Sequence, residues 1–227
     1  MSENPWVVLD TETSGLNPKV DKVLEIAIAW RIKGELICAS NLIDPGVPIP
    51  PEVSAVHHLT DDDVRGAPTI DQVVNNSTFP KGVIVAHNAK FDRAFLPQFE
   101  SRKWLCTYRC ALHLWPDAPS HKNQVIRYWK KLTPEVPTDL APHRALYDVI
   151  VTESILQEML KTHTIEQLLE IQDKPVLLKT MRFGKYAKKP WSEVPRDYIQ
   201  WLLRQDDTGG IDEDTRHTAL HWLHSKN

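Results

Sequence analysis

Residues Trp6–Asp10, "WVVLD", form an apolar run of strand length, and the run ends in two carboxylates one residue apart, Asp10 and Glu12. Such a run reads as the first strand of the fold. Side chains two apart on a strand point the same way, so Asp10 and Glu12 project together from its end. By itself a D-x-E pair is weak evidence. Asp61-x-Asp63 and Asp212-x-Asp214 have a similar spacing, but they stand before helical patterns and read as N-caps and first-turn charges.

Val23–Ile32 and Glu35–Ile43, joined by the turn around Gly34, read as a hairpin rich in Val, Ile and Leu. A proline-dense stretch follows, helical only around Ser54–His58 and again after Asp61. Val83–Ala86 reads as a short buried strand and Phe91–Phe99 as a short helix stopped or bent near Pro97. Trp104–Tyr108 reads as another strand and Asn123–Lys130 as a helix. Pro142–Leu160 is the longest helical pattern, with Leu146, Val149, Ile150, Ile155, Leu156, Met159 and Leu160 as its apolar stripe. "THTIEQLLEI" adds a short helix whose Thr164 and Gln167 fit a capping box. The pattern then changes, which sets a boundary near residue 173: an α/β or α+β core over 1–173 and a small module over 174–227.

Composition narrows the function. The chain carries a net charge of −3, with 18 Lys+Arg against 23 Asp+Glu in residues 1–174 and 9 against 7 in 175–227. An acidic body with a weakly basic tail does not announce a nucleic-acid binder by charge, but metal ions would neutralise a local acidic cluster. No apolar run reaches the roughly 20 residues of a membrane span, and "MSENPWVVLD" lacks the pattern of a signal peptide. Cys38, Cys106 and Cys110 form no CxxC pair and read as reduced, mostly buried thiols, so a cytoplasmic location is expected.

Two further stretches give Asp10 and Glu12 partners. In "VIVAHNAKFDRAFL" a buried strand runs into His87 and Asn88, with Asp92 in the first turn of a helix. In "APHRALYDVIV" His143 precedes Asp148 by five residues. Five helical residues are about 500° of rotation, so the two do not share a face. Pro142 suits a first helical turn, however, which puts His143 at a frayed helix start and Asp148 inside, where a charge needs a partner. Four carboxylates from three segments suggest one centre; without a cation they repel and raise each other's pKa. Hard divalent ions take oxygen ligands, and a two-ion site needs a bridging carboxylate.

"DTETSG", "HNAKFD" and "HRALYD" resemble, in order and spacing, the three motifs of the DEDDh family of 3′–5′ exonucleases. The resemblance implies a ribonuclease H-like α/β fold, a mixed five-stranded sheet flanked by helices, with the small C-terminal module added. It implies two Mg²⁺ ions, replaceable by Mn²⁺. Asp10 would bridge them, Glu12 and Asp148 would complete the ion that activates water, and Asp92 would hold the other through waters. His143 would be the general base, a role that imidazole's ordinary pKa suits. The backbone at Thr11, with Thr13, Leu16, His57, Asn88 and Phe91, would line the pocket for the last nucleotide. Ser14 stands where the family more often has Thr, which keeps a hydroxyl.

"KTMRFGKYAKKPW" interleaves Lys179, Arg182, Lys185, Lys188 and Lys189 with Phe183, Tyr186 and Trp191. Basic and aromatic residues together suit a single strand, and Arg182, Phe183, Lys185, Tyr186, Lys188 and Lys189 are the candidate contacts. The plain alternative is a β-hairpin with a solvated basic face packed on a helix at Asp197–Leu203. The leading expectation is an exodeoxyribonuclease acting on DNA 3′ ends, single-stranded or duplex, and releasing nucleoside monophosphates in DNA repair. Two alternatives stay open: an exoribonuclease trimming small RNA or tRNA ends, and a polymerase-associated proofreading or strand-docking subunit. Monomer and homodimer are both compatible with the sequence.

Overall fold

Five strands form one mixed sheet among the described residues, in the order β3-β2-β1-β4-β5. They are β1 (Trp6–Thr13), β2 (Val23–Ile32), β3 (Glu35–Leu42), β4 (Val83–Ala86) and β5 (Trp104–Cys106). The structure, a computed structural model, describes residues 5–74, 79–138, 140–205 and 211–225. The hairpin pairs β2 with β3 antiparallel, β1 runs antiparallel to β2, and β4 and β5 continue parallel to β1. The helices are α1 (Pro51–His57), α2 (Asp61–Val64), α3 (Ile70–Val73), α4 (Lys90–Phe95), α5 (Thr107–Leu114), α6 (Asn123–Trp129), α7 (Ala145–Leu160), α8 (Ile165–Gln172), α9 (Arg196–Arg204) and α10 (Glu213–Ser225).

The sheet is covered on both faces, which is why β1 is apolar without alternation. Val8, Ala27, Ala29, Val85 and Leu105 meet α5–α8 on one face, where α7 contributes Val149, Val151, Ile155 and Leu156. Val7, Leu9, Ile26, Ile84 and Trp104 meet Phe95, Leu96 and Phe99 on the other. Each buried Val, Leu, Ile or Phe among these contributes roughly 1.5–3 kcal/mol. The chain divides into two units, Met1–Gln172 and Asp173–Asn227. The second has its own core of Leu178, Met181, Trp191, Val194, Ile199, Leu202 and Ala219. In place of a regular hairpin, residues 179–191 form a tight loop with one Thr180–Pro190 bridge, closed by backbone hydrogen bonds from Met181 N to Lys189 O, from Lys188 N to Met181 O and from Trp191 N to Lys179 O.

Two elements differ from the sequence expectation. The strand begun at Trp104 stops at Cys106, and α5 starts at Thr107. The Cys106 thiol caps that helix by accepting from Arg109 N, and the Gln172 side chain pairs Cys106 N and Trp104 O, closing the sheet edge in place of a sixth strand. The long helix starts at Ala145 and not at Pro142, because His143 is left-handed, with φ 66°, and Arg144 is extended. Asp148 therefore lies in the first turn of α7. No helix among the described residues is long and apolar enough to cross a membrane.

Candidate active site

β1 is antiparallel to β2 but parallel to β4, and its pairing with β4 ends at Val8–Val85. A crevice opens there, beyond the carboxyl ends of the parallel strands, where α/β sheets place their ligands. Asp10 and Glu12 enter it from β1, and Asp148 comes down from α7. One oxygen of each lies within 4.8 Å of the others. The two strand residues share the α7 face because the pleat has period two.

Asp92 approaches from the other layer, on α4. It is buried, and its Oδ1 accepts hydrogen bonds from Thr11 N at 3.1 Å and Thr11 Oγ1 at 2.9 Å. Thr11 N is free to donate because β4 has already turned away. Asp92 thus stands outside the three-carboxylate triangle, yet after burial it is the strongest influence on Asp10.

This centre is short of positive charge. Burial first, then Asp92, Asp148, Glu12 and Glu25, hold the Asp10 carboxyl well above the ordinary range. Burial and then the Asp148 charge push Glu12 up to about 8, and Arg144 opposes this only weakly. Burial raises Asp92 to about 7 against the Thr11 hydrogen bonds. Burial likewise raises Asp148, against the His143 N–H that its Oδ2 accepts at 2.9 Å. Crowded oxygen donors whose carboxyl pKa values are raised by burial and mutual repulsion suit a hard divalent cation, which binds them ionised.

Asp10, Asp148 and His143 line a pocket of about 610 Å³ with Asn88, Tyr108, Lys122 and Gln124. His143 is exposed at its rim. Asn88 is exposed and left-handed, with φ 72°, a conformation Asn tolerates. Phe91 is half-buried, with its ring 5.0 Å from that of Phe95. His57 is buried at the end of α1; its Nδ1 accepts from Leu59 N, while Nε2 has no hydrogen-bond partner. Thr13 donates its hydroxyl to Gly15 O at 2.6 Å. A Cβ at Gly15 would stand 2.4 Å from the Asp21 carboxylate, which would have to shift. Beyond this turn Leu16 is 84% exposed.

Sequence reasoning missed three residues here. Glu25 is buried and faces Glu12 across the β1–β2 pair. Arg144 makes an ion pair with it at 2.9 Å, and Gln124 donates to Asp148 Oδ1 at 3.1 Å. The signal for Glu25 was its place inside the apolar run "VLEIAIAW", where a charge requires a partner. His87, next to the second motif, is fixed by Thr107 Oγ1 and the His121 carbonyl, and burial pushes its pKa down to about 4.

Residues 7–156 match the RNase_T family model, described as exonuclease. The chain is 36% identical over 222 residues to Exodeoxyribonuclease 10 of Escherichia coli strain K12, covering 95% of this chain and 97% of the other. It is 34% identical over 169 residues to DNA polymerase III subunit epsilon of Treponema pallidum, covering 70% and 77%. The solved structure of Exonuclease X in complex with 5′ overhanging duplex DNA superposes with a TM-score of 0.65 at 34% identity, over 74% of this chain and 99% of that one. The nuclease domain of 3′hExo, a DEDDh family member, shares the fold at 17% identity and TM-score 0.55, covering 70% and 94%. With its ribonuclease H-like sheet and its three acidic motifs, the chain belongs to the RNase_T exonuclease family and is a DEDDh-type 3′–5′ exonuclease.

Proposed function

We propose that the substrate is DNA, that the reaction is Mg²⁺-dependent release of nucleoside 5′-monophosphates from the 3′ end, and that it serves DNA repair. The observation that carries this reading is the Asp10–Glu12–Asp148 triangle, in a chain similar over nearly its whole length to an exodeoxyribonuclease. Asp10, Glu12 and Asp148 would together hold divalent cation, and Asp92, on the far side of Asp10, would add a further oxygen ligand. When bound, the ions supply hydroxide near neutral pH and stabilise the leaving 3′-oxygen. Removing upwards of about 15 kcal/mol from the barrier of phosphodiester hydrolysis is beyond a lone carboxylate or imidazole.

His143 takes the proton of the attacking water from its place at the pocket rim. Asn88 and Phe91 contact the terminal nucleotide, together with the backbone at Thr11 and Thr13; His57, with its Nε2 buried, is given no direct contact. Leu16, an exposed apolar side chain on a braced turn, packs against the last base. Release of labelled monophosphate from DNA 3′ ends, faster than from RNA and only with Mg²⁺, is the outcome that tests the reading.

The second unit, Asp173–Asn227, is assigned to holding a single strand. Tyr186 and Tyr198 rings lie 4.8 Å apart, Tyr198 and Trp201 rings 5.2 Å apart, and the Lys185 ammonium is 5.6 Å from the Tyr186 ring centre. Trp201 and Phe183 are 45% and 39% exposed, beside the exposed Lys185, Lys188 and Lys189. The Tyr198 hydroxyl crosses Gly184 so closely that a Cβ there would stand 2.5 Å from it, which ties the "FGKY" turn to α9. Arg182 is less available, being 3.3 Å from Asp212. Trp201→Ala in the full chain should weaken binding of an oligo-dT strand in chelator about tenfold. Replacing Lys185, Lys188 and Lys189 with Ala should reduce the slope of log affinity against log salt by about 0.7 for each phosphate no longer neutralised. Unchanged affinity and slope, read by fluorescence anisotropy, would argue against this assignment.

A further inference from the structure

Glu25 is a buried carboxylate beside the centre that the proposed chemistry leaves without a task; it is 1% exposed. Both its oxygens are engaged. Oε2 accepts from Arg144 Nε at 2.9 Å and Ala145 N at 3.2 Å. Oε1 accepts from Ser40 Oγ at 2.8 Å and Arg144 Nη2 at 3.4 Å. Glu25 therefore differs from Asp10, Glu12 and Asp148, the three described residues that offer oxygens to a common cation position.

Its grip falls on the two residues directly after His143. The segment needs holding, because His143 sits in the left-handed region that a side-chain-bearing residue adopts at a cost. One anchor is Asp148 Oδ2, which accepts the His143 N–H. Glu25 is the other, and it comes from the sheet. β2 is paired on both sides, with Glu25 opposite Glu12 and Leu42, so the carboxylate stands on a fixed base. The same strand register that sets Glu12 also sets the clamp.

The geometry points to Glu25 as a positioning residue: its ion pair with Arg144 and its bond to Ala145 N fix the entry to α7, so that His143 is presented to the water held over Asp10, Glu12 and Asp148. This rests on the reading of His143 as the general base. Removing one partner of a buried pair leaves the other charged and unsatisfied, so the segment must move. A displacement of about 1 Å at a reacting group costs on the order of 100-fold.

The test is single-turnover cleavage of a 3′-labelled strand with Mg²⁺ and full-length enzyme in excess. At enzyme concentrations where the rate constant no longer rises, it reads only folded, substrate-bound molecules, and a misfolded fraction merely raises the total concentration needed to reach that plateau. Glu25→Gln should slow cleavage on the order of 10- to 100-fold, with strand affinity unchanged. Arg144→Gln, made at a half-exposed side chain in case Glu25→Gln fails to fold, should do the same. In a His143→Asn background, Glu25→Gln should add less than about twofold, since the group it positions is gone. The clamp is wrong if Glu25→Gln cleaves at the wild-type rate, or if it slows the His143→Asn enzyme by the same factor as the wild type. If His143→Asn alone cleaves as fast as wild type, the base assignment has failed and takes the clamp with it.

Discussion

Asp10→Asn is expected to abolish nucleotide release, by at least about 1,000-fold, while leaving the metal-free protein more heat-stable than wild type. The loss follows from its place in the triangle with Glu12 and Asp148. The gain in stability follows from electrostatics. Asp10 is buried and faces the charges of Asp92, Asp148, Glu12 and Glu25, which raise its pKa together with burial. A carboxyl whose folded pKa stands above its unfolded value binds more protons when folded. Its contribution to stability is complete below the unfolded pKa and is lost as pH rises through the folded one. For Glu12 that window runs from 4.5 to about 8, so metal-free wild type should lose melting temperature across it. Asp10→Asn removes one of the repelling charges and should flatten that loss. Mg²⁺ should raise the wild-type melting temperature more at the alkaline end of the window than at the acid end, and raise the variant's little. Calorimetry with and without chelator across the window checks this. Release within tenfold of wild type, or an undiminished Mg²⁺ response, would contradict the role given to Asp10.

His143→Asn should slow release by roughly 10²–10⁴-fold, the range for a lost general base, with the Mg²⁺-dependent rise in melting temperature kept. Asn is the informative replacement because it tolerates the left-handed backbone at 143, and the N–H that Asp148 accepts belongs to the main chain. The variant therefore removes the imidazole without dismantling the entry to α7. Loss of the Mg²⁺ response would mean that His143 supports the metal site and does not serve as base.

Much of this was legible in the sequence, for identifiable reasons. β1 opens on an apolar run, β2 is mostly apolar and β4 wholly so, and the left-handed Lys33–Gly34 turn sets the hairpin register. Thr164 and Gln167 cap α8 reciprocally, as their spacing implies. The misses lie where tertiary contacts override local pattern. Cys106 N and Trp104 O pair with Gln172, a residue 66 positions on from Cys106, and this ends β5 early. His143 takes a left-handed backbone that Pro142 alone would not suggest, held by Asp148 five residues ahead. Glu25 stands out in sequence only as a charge inside an apolar strand; β2's place between β1 and β3, with Arg144 arriving from the entry to α7, reveals it as a clamp. The tie between Asp92 and Thr11 depends on where β4 stops, which no spacing states. Tyr198 and Trp201 join the "FGKY" turn through space, so their part in the second unit could not be read from the motif.

The most direct test of the account is digestion of matched single-stranded DNA and RNA carrying a label on the 3′-terminal nucleotide, with Mg²⁺ or chelator, beside Asp10→Asn. The account predicts that label leaves DNA as nucleoside 5′-monophosphate from the first turnover, faster than from RNA, and stays in the polymer with chelator or the variant. Label retained in DNA by the wild-type enzyme with Mg²⁺, or released only within longer oligonucleotides, would contradict it.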